Sequence, residues 1–437
     1  MRAPSTVRLL VVFAGVTLGL AAGLVGLAGY AQTRPSPATP AGAVLYVGVG
    51  AELTQYDVEV ERATLTPRRT VSLPANVQEA ALHPSHRHLY VAWSTAGASF
   101  GALGGAPGAT ARHGVTAFRR DASSGALTPD GPPIPLRARA IHLTTDVDGA
   151  HLLVAYNSPS GVTVHRIERD GTIGAEVTHP SPLDGGIYGH HVRVLPSNRG
   201  VVLVTRGNAP TASAPEDPGA LKVFAYSNGV LSNRASIAPG RGYGFQARHI
   251  DFHPSRPWAL LTLERQNEMA VFRIVDDSLS AAPLFSKTTL AEPGNVRPGQ
   301  TTSSIHVHPN GRFVYVGNRA SATTEFQGTR VSAGGENTIA VFAIDQTTGE
   351  PTLIQTIDTR GFQPRTFALD PGGRILVAGN QNPVAVRDGS GVRTVPASLS
   401  VFRIGGDGRL TFVRTYDVDA RPDAGRLLFW MGIAPLD

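Results

Sequence analysis

Cysteine is absent from the 437 residues, which excludes disulfides and thiolate metal sites. Lysine is almost absent: Lys222 and Lys287 are the only two among 39 basic residues, and the rest are arginine. Those arginines are scattered singly, with no run of five or six and no aromatic-interleaved stripe. The net charge of +6 therefore gives no reason to expect nucleic acid, and only a modest attraction for small anions. There is no P-loop, no Gly-x-Ser-x-Gly elbow and no EF-hand run of aspartates. From Ala43 onward no long amphipathic helical pattern occurs. What the chain does have is 49 glycines and 33 prolines, about a fifth of its length, as expected of a turn-rich all-β protein.

The N-terminus carries Arg2 and Arg8, then an almost unbroken apolar run from Leu9 to Ala31. Small residues at Gly29 and Ala31 suit cleavage after Ala31, so residues 1–31 read as a secretory signal. The run is also long enough to span a bilayer, so an uncleaved anchor over residues 9–31 is the competing reading. Either way the remainder is expected outside the cytoplasm, periplasmic or secreted. Residues 32–42 read as a Pro/Ala linker.

The rest, residues 43–437, is periodic. A strand with an aromatic in the pattern x-V-F-x-I recurs seven times, at Tyr56, Phe118, His165, Phe224, Phe272, Phe342 and Phe402. Each copy after the first follows a strand pair around a tight turn, as in "HIDFHPSRPWALLTLE" and "IHVHPNGRFVYVGNR". The turns are marked by Pro84, Val147, Pro196, Pro254, Pro309 and Pro371. Four antiparallel strands per unit and seven units predict a seven-bladed β-propeller. The first unit lacks its innermost strand, and "AGRLLFWMGIAP" at the end has no partners of its own. The C-terminal strand is therefore expected to complete the first blade and close the ring, hiding the sheet edges. Two β-sandwiches would leave an orphan strand at each end.

Aligning the units on their turns exposes two sets of polar positions. Ten residues past the turn stand Gly50, Ser94, Asn157, Arg206, Glu264, Arg319 and Gln381. Six residues before it stand Gln78, Ile141 (or His142, one off), His190, Arg248, Ser303 and Arg365. One isolated charge at a strand end is ordinary surface. Two aligned rings rich in Arg, Glu and His suggest a site at one mouth of the central channel, because in an antiparallel pair the first strand starts where the second ends.

Several of these stretches resemble the lactonase family of seven-bladed β-propellers, over residues 43–437 and most strongly from about 245 to 415. They are "FHPSRPWALLTLERQNEMAVFRI", "VHPNGRFVYVGNRA", "RTFALDPGGRILVAGNQ" and "SLSVFRIGGDGRLTFV". That family includes a bacterial 6-phosphogluconolactonase and a fungal carboxy-muconate cyclase. Surface-layer propellers with YVTN-type repeats share part of the pattern. The resemblance implies that His190, Arg248, Glu264 and Arg319 correspond to the His, Arg, Glu and Arg of the cyclase active site. Arg206, Arg365, Gln381 and Asn157 are further candidates for lining the substrate site.

Lactone opening needs a nucleophilic water, a base and positive charge for the oxyanion. Glu264, kept ionised by Arg248 and Arg319, suits a base or water-positioning group. His190, titrating near neutrality, suits proton donation to the leaving alkoxide. Arg248 and Arg319 suit a substrate anion and the oxyanion. The expected substrate is a small sugar or organic-acid lactone, handled by a monomer without a cofactor. A muconate-type cycloisomerase and a non-catalytic YVTN-like binding propeller are the alternatives. His306 and His308, two apart, and His249 and His253, four apart, have spacings that suit a metal. But His83, His253 and His308 all precede the turn proline, which points to turn caps instead. His190 and His191, being adjacent on a strand, are expected to point to opposite faces, so that only one lines the channel.

Overall fold

A computed structural model describes residues 42–96 and 111–437. The segments read as signal or anchor (1–31) and linker (32–42) lie outside the described residues, except Gly42, where the first strand begins. The chain folds into seven four-stranded antiparallel blades forming a propeller. The innermost strands of blades 2 to 7 are Asn76–Leu82, Ala140–Thr145, Gly189–Val194, Ala247–Phe252, Gln300–Val307 and Pro364–Leu369. Blade 1 takes its three outer strands from Gly42–Val49, Glu52–Glu59 and Thr64–Ser72, and its innermost strand from Leu428–Leu436. The C-terminal strand thus closes the ring, pairing Val44 with Ala434 and Tyr46 with Gly432.

Each innermost strand packs against that of the next blade, and the seventh against the first. The hydrophobic core is correspondingly divided among the blade interfaces. One cluster joins Val204, Leu221 and Leu263 of blades 4 and 5; another joins Leu45, Val47, Val377 and Val401 across the closure. The recurring aromatic of the third strand fills these interfaces: Phe118, Phe224, Phe272, Phe342 and Phe402 are all fully buried. Each such side chain contributes about 1.5–3 kcal/mol of burial, so the repeated aromatic holds the interfaces between blades.

The turn histidines cap their own turns and clip each to the next blade. His253 Nδ1 accepts from the Ser255 and Arg256 amides, while Nε2 bonds the Gly311 carbonyl at 2.8 Å. His308 does the same with Asn310 and Gly373, and His83 with Ser85 and Gly149. Among the described residues, no three His, Asp or Glu side chains form a group that could hold a metal ion.

Every innermost strand carries a β-bulge near its start. The residue left out of register is Phe429, Gln78, Ile141, His190 or Arg365 in blades 1, 2, 3, 4 and 7. In blades 5 and 6 it is a pair, Arg248 with His249 and Ser303 with Ser304. A bulge breaks the alternation of a strand and re-aims its side chains. Blades 6 and 7 also carry inserted hairpins, Thr323–Ser332 and Val384–Val395, between their second and third strands. The two hairpins meet, with the Arg387 guanidinium 4.7 Å from the Phe326 ring centre.

Candidate active site

The ring six residues before the turn is the bulge ring. It meets the ring that ends the second strands, and the charged members of both gather around Glu264. That residue directly follows the buried strand Trp258–Leu263. Its backbone is fixed on both sides: its amide donates to the Gln246 carbonyl at 2.8 Å, and its carbonyl accepts from the Thr302 amide at 2.9 Å. Arg319 donates to Oε1 at 2.5 Å and Arg206 to Oε2 at 2.6 Å. Arg248 Nε lies 3.3 Å from Oε1, within ion-pair distance but not aligned as a hydrogen bond. Arg319 is oriented further by the Thr301 hydroxyl at 3.2 Å, and Arg206 lies over the Tyr188 ring at 4.1 Å.

Three guanidiniums against one carboxylate leave an excess of two positive charges (3 − 1). Arg248 is 1% exposed, and its Nη1 has no protein partner. Burial, then Arg319, depresses its pKa, and Glu264 opposes this. A guanidinium stays protonated even so, and the cost appears as a strongly positive potential. Burial alone would raise the carboxyl pKa of Glu264. Arg206, Arg319 and Arg248 outweigh that and hold it well below the usual carboxylate range.

His190 belongs to the same cluster, within electrostatic reach of Arg248, Glu264, Arg206 and Arg365. Its pKa lies well below the ordinary imidazole value, first because it is buried and then because of the arginines. The expectation that it titrates near neutrality is therefore corrected: it is a neutral base, and its buried Nδ1 has no protein partner. The alternation expected of His190 and His191 is corrected too. The His249 ring centre lies 5.2 Å from that of His190 and 4.4 Å from that of His191, so both stand on one side of the strand. The bulge at His190 is the cause. Behind it runs a column of histidines, His191 buried and His142, His249 and His306 half-buried: His191 lies 3.7 Å from His142, and His306 contacts Phe367.

Arg365 stacks on the Phe429 ring at 3.6 Å and donates to the Phe429 carbonyl at 2.9 Å. It lies within electrostatic reach of Arg319, Glu264 and a second carboxylate, Glu79. Arg139, 3% exposed, donates to the Gln78 side-chain oxygen at 2.6 Å and lies 5.7 Å from the Phe429 ring centre. Asn157 is buried, with neither amide atom bonded to protein. Gln381 is buried at the junction of blades 7 and 1, where its carbonyl accepts from the Leu428 amide. Sequence reasoning missed Glu79, Arg139, Phe429 and Trp430. The available signal was the position after the first bulged residue: Trp430, Glu79, His142, His191, His249, Ser304 and Thr366. Six of these seven are polar or ionisable, yet they sit inside core strands.

Comparison with known proteins identifies the family. The family model described as "Lactonase, 7-bladed beta-propeller" matches residues 41–387. The chain belongs to this lactonase propeller family. A 6-phosphogluconolactonase of Bacillus subtilis is 29% identical over 285 residues, covering 61% of this chain and 70% of that protein. A 6-phosphogluconolactonase of Pectobacterium carotovorum is 29% identical over 326 residues, covering 73% and 82%. Among solved structures, a periplasmic gluconolactonase of Pseudomonas aeruginosa superposes with a TM-score of 0.64 at 19% identity, covering 90% of this chain and 99% of that one. At that identity the likeness concerns the fold. Within this lactonase propeller the charged cluster occupies the bulge ring and the strand ends beside it.

Proposed function

We propose that the protein is a lactonase that opens an anionic sugar or organic-acid lactone. The observation that carries this reading is the excess of two positive charges in a buried cluster containing one carboxylate and one neutral histidine. Arg206 and Arg319 remain about a fifth exposed, so they can meet a substrate carboxylate or phosphate without leaving Glu264. Arg248 keeps an unpaired N–H beside Glu264 and suits the developing oxyanion. Glu264, with both oxygens engaged, is a weak base. It orients the arginines and stabilises positive charge on His190. His190 is then the group that removes the proton from the attacking water. Convergence of three guanidiniums on one carboxylate, with an unpaired histidine within their electrostatic reach, speaks against a purely passive scaffold. The names of its relatives support the lactonase direction over lactone formation. Residues 1–31 support export to the periplasm or beyond.

The test is proton release by the purified protein on neutral, carboxylated and phosphorylated lactones. The expected result is the highest kcat/KM for an anionic member, and a KM raised about tenfold or more for that member in Arg319→Ala. No turnover of any lactone would reject the reading.

A further inference from the structure

Glu79 is a second carboxylate of the site, and it differs from Glu264 in every respect that matters for proton transfer. It lies on the innermost strand of blade 2, directly after the bulged Gln78. Among the described residues no guanidinium comes within ion-pair distance of it, whereas Glu264 has three. Its Oε1 accepts from the Ala80 amide at 3.3 Å, and Trp430 of the closing strand is its side-chain partner. Arg365 and Arg248 reach both carboxylates electrostatically. The link between the two acids is Arg365, which stacks on Phe429, the residue before Glu79's partner Trp430. The Glu79 side chain is half-buried.

We propose, on the basis of the lactonase reading above, that Glu79 is the general acid that protonates the leaving ring oxygen. Water attacks the lactone carbonyl carbon and gives one proton to His190. The acyl C–O bond then breaks, and its electron pair goes to the ring oxygen, which takes the Glu79 proton. The new carboxylic acid loses its proton to solvent. Glu79 regains one from the His190 imidazolium through channel water. The sum is lactone plus water giving hydroxy-acid anion plus a proton.

The electrostatics support this division of labour. Burial pushes the Glu79 carboxyl up to about 8, against the pull of Arg365, the Ala80 amide, Trp430 and Arg248. Other titratable groups on neighbouring elements are Arg139 and His142, next to or on the blade 3 strand, and His88 and Tyr90 on the paired strand His88–Ser94; the closing strand Leu428–Leu436 contributes none. Two carboxyls of one site pushed in opposite directions mark an acid and an ion.

The experiment measures kcat and KM against pH for the intact chain and for Glu79→Gln. It is combined with infrared difference spectra of the carboxylic-acid carbonyl band from about pH 6 to pH 10. The wild type is expected to lose kcat as pH rises through about 8, with the band disappearing in step. Glu79→Gln is expected to lack the band, to lose kcat about 100-fold or more with KM within a few-fold, and to lack the alkaline limb. If Glu79→Gln does not fold, Glu79→Asp keeps an acid one methylene back and should retain the limb with reduced kcat. Unchanged kcat and profile in a folded variant, or no titrating carbonyl band in the wild type, would overturn the assignment. A wild type that shows the band but opens no lactone overturns the lactonase reading, and the catalytic role falls with it.

Discussion

Both oxygens of Glu264 are engaged by guanidiniums, and its side chain is 5% exposed. Removing one partner of such a buried pair leaves uncompensated charge and typically costs about 3–5 kcal/mol. Glu264→Gln is therefore expected to lower the denaturant midpoint clearly, in addition to any effect on turnover. The sign with pH follows from the depressed carboxyl pKa. The stabilisation from Glu264 is present above its unfolded value of 4.5 and is lost only as pH falls through the much lower folded value. His190 works the other way. It must be neutral to act as base, and its pKa lies well below 6.5. The acid limb of kcat/KM is thus expected well below the ordinary histidine range; a limb near 6.5 would contradict the assigned role. The Arg248–Glu264 pair was legible in the sequence because the repeat fixed both positions. The protonation state of His190 was not legible, because it depends on burial and on Arg248, Arg206 and Arg365, two of which come from other blades.

At the scale of the strand, the bulge explains what sequence reading found and what it missed. The ring before the turn stood out because its members differ from blade to blade. Glu79 stayed hidden, and His191 and His249 were left out of the ring, because strict alternation assigns them to the other face; His142 entered only as an alternative to Ile141. The strand opposite the bulge answers with small residues. A Cβ added to Gly317 would lie 2.2 Å from Ser303 Oγ, whose hydroxyl donates to the Pro364 carbonyl at 2.7 Å. Gly317→Ala is therefore expected to cost about 1–3 kcal/mol, and most of that cost should vanish in a Ser303→Ala background. A full cost in both backgrounds, measured by urea unfolding, would show that the clash lies elsewhere.

Across the whole molecule, the ring closes by pairing the two ends of the chain. A chain ending at Leu427 lacks the inner strand of blade 1, including Phe429 and Trp430, and exposes the edge of Gly42–Val49. It is expected to aggregate or unfold without cooperativity, as size-exclusion chromatography and thermal melting would show. The channel histidines add a pH term at this scale. His142, held near 3, and His190, His191, His249 and His306 are kept neutral chiefly by burial. Each folded pKa lies below its unfolded value, so stability is expected to fall as pH drops below 6.5, by up to about 1.4 kcal/mol per pH unit per histidine. The blade count and the closure were legible because repeats and orphan strands leave a one-dimensional trace. The column of histidines was not, because it forms only when four blades converge. The central claim is that the cluster around Glu264 performs the chemistry. Its most direct test compares proton release on an anionic sugar lactone by the wild type and by Glu264→Gln that circular dichroism shows to be folded. A loss in kcat/KM of about 100-fold or more is expected; equal rates would show that the chemistry lies elsewhere.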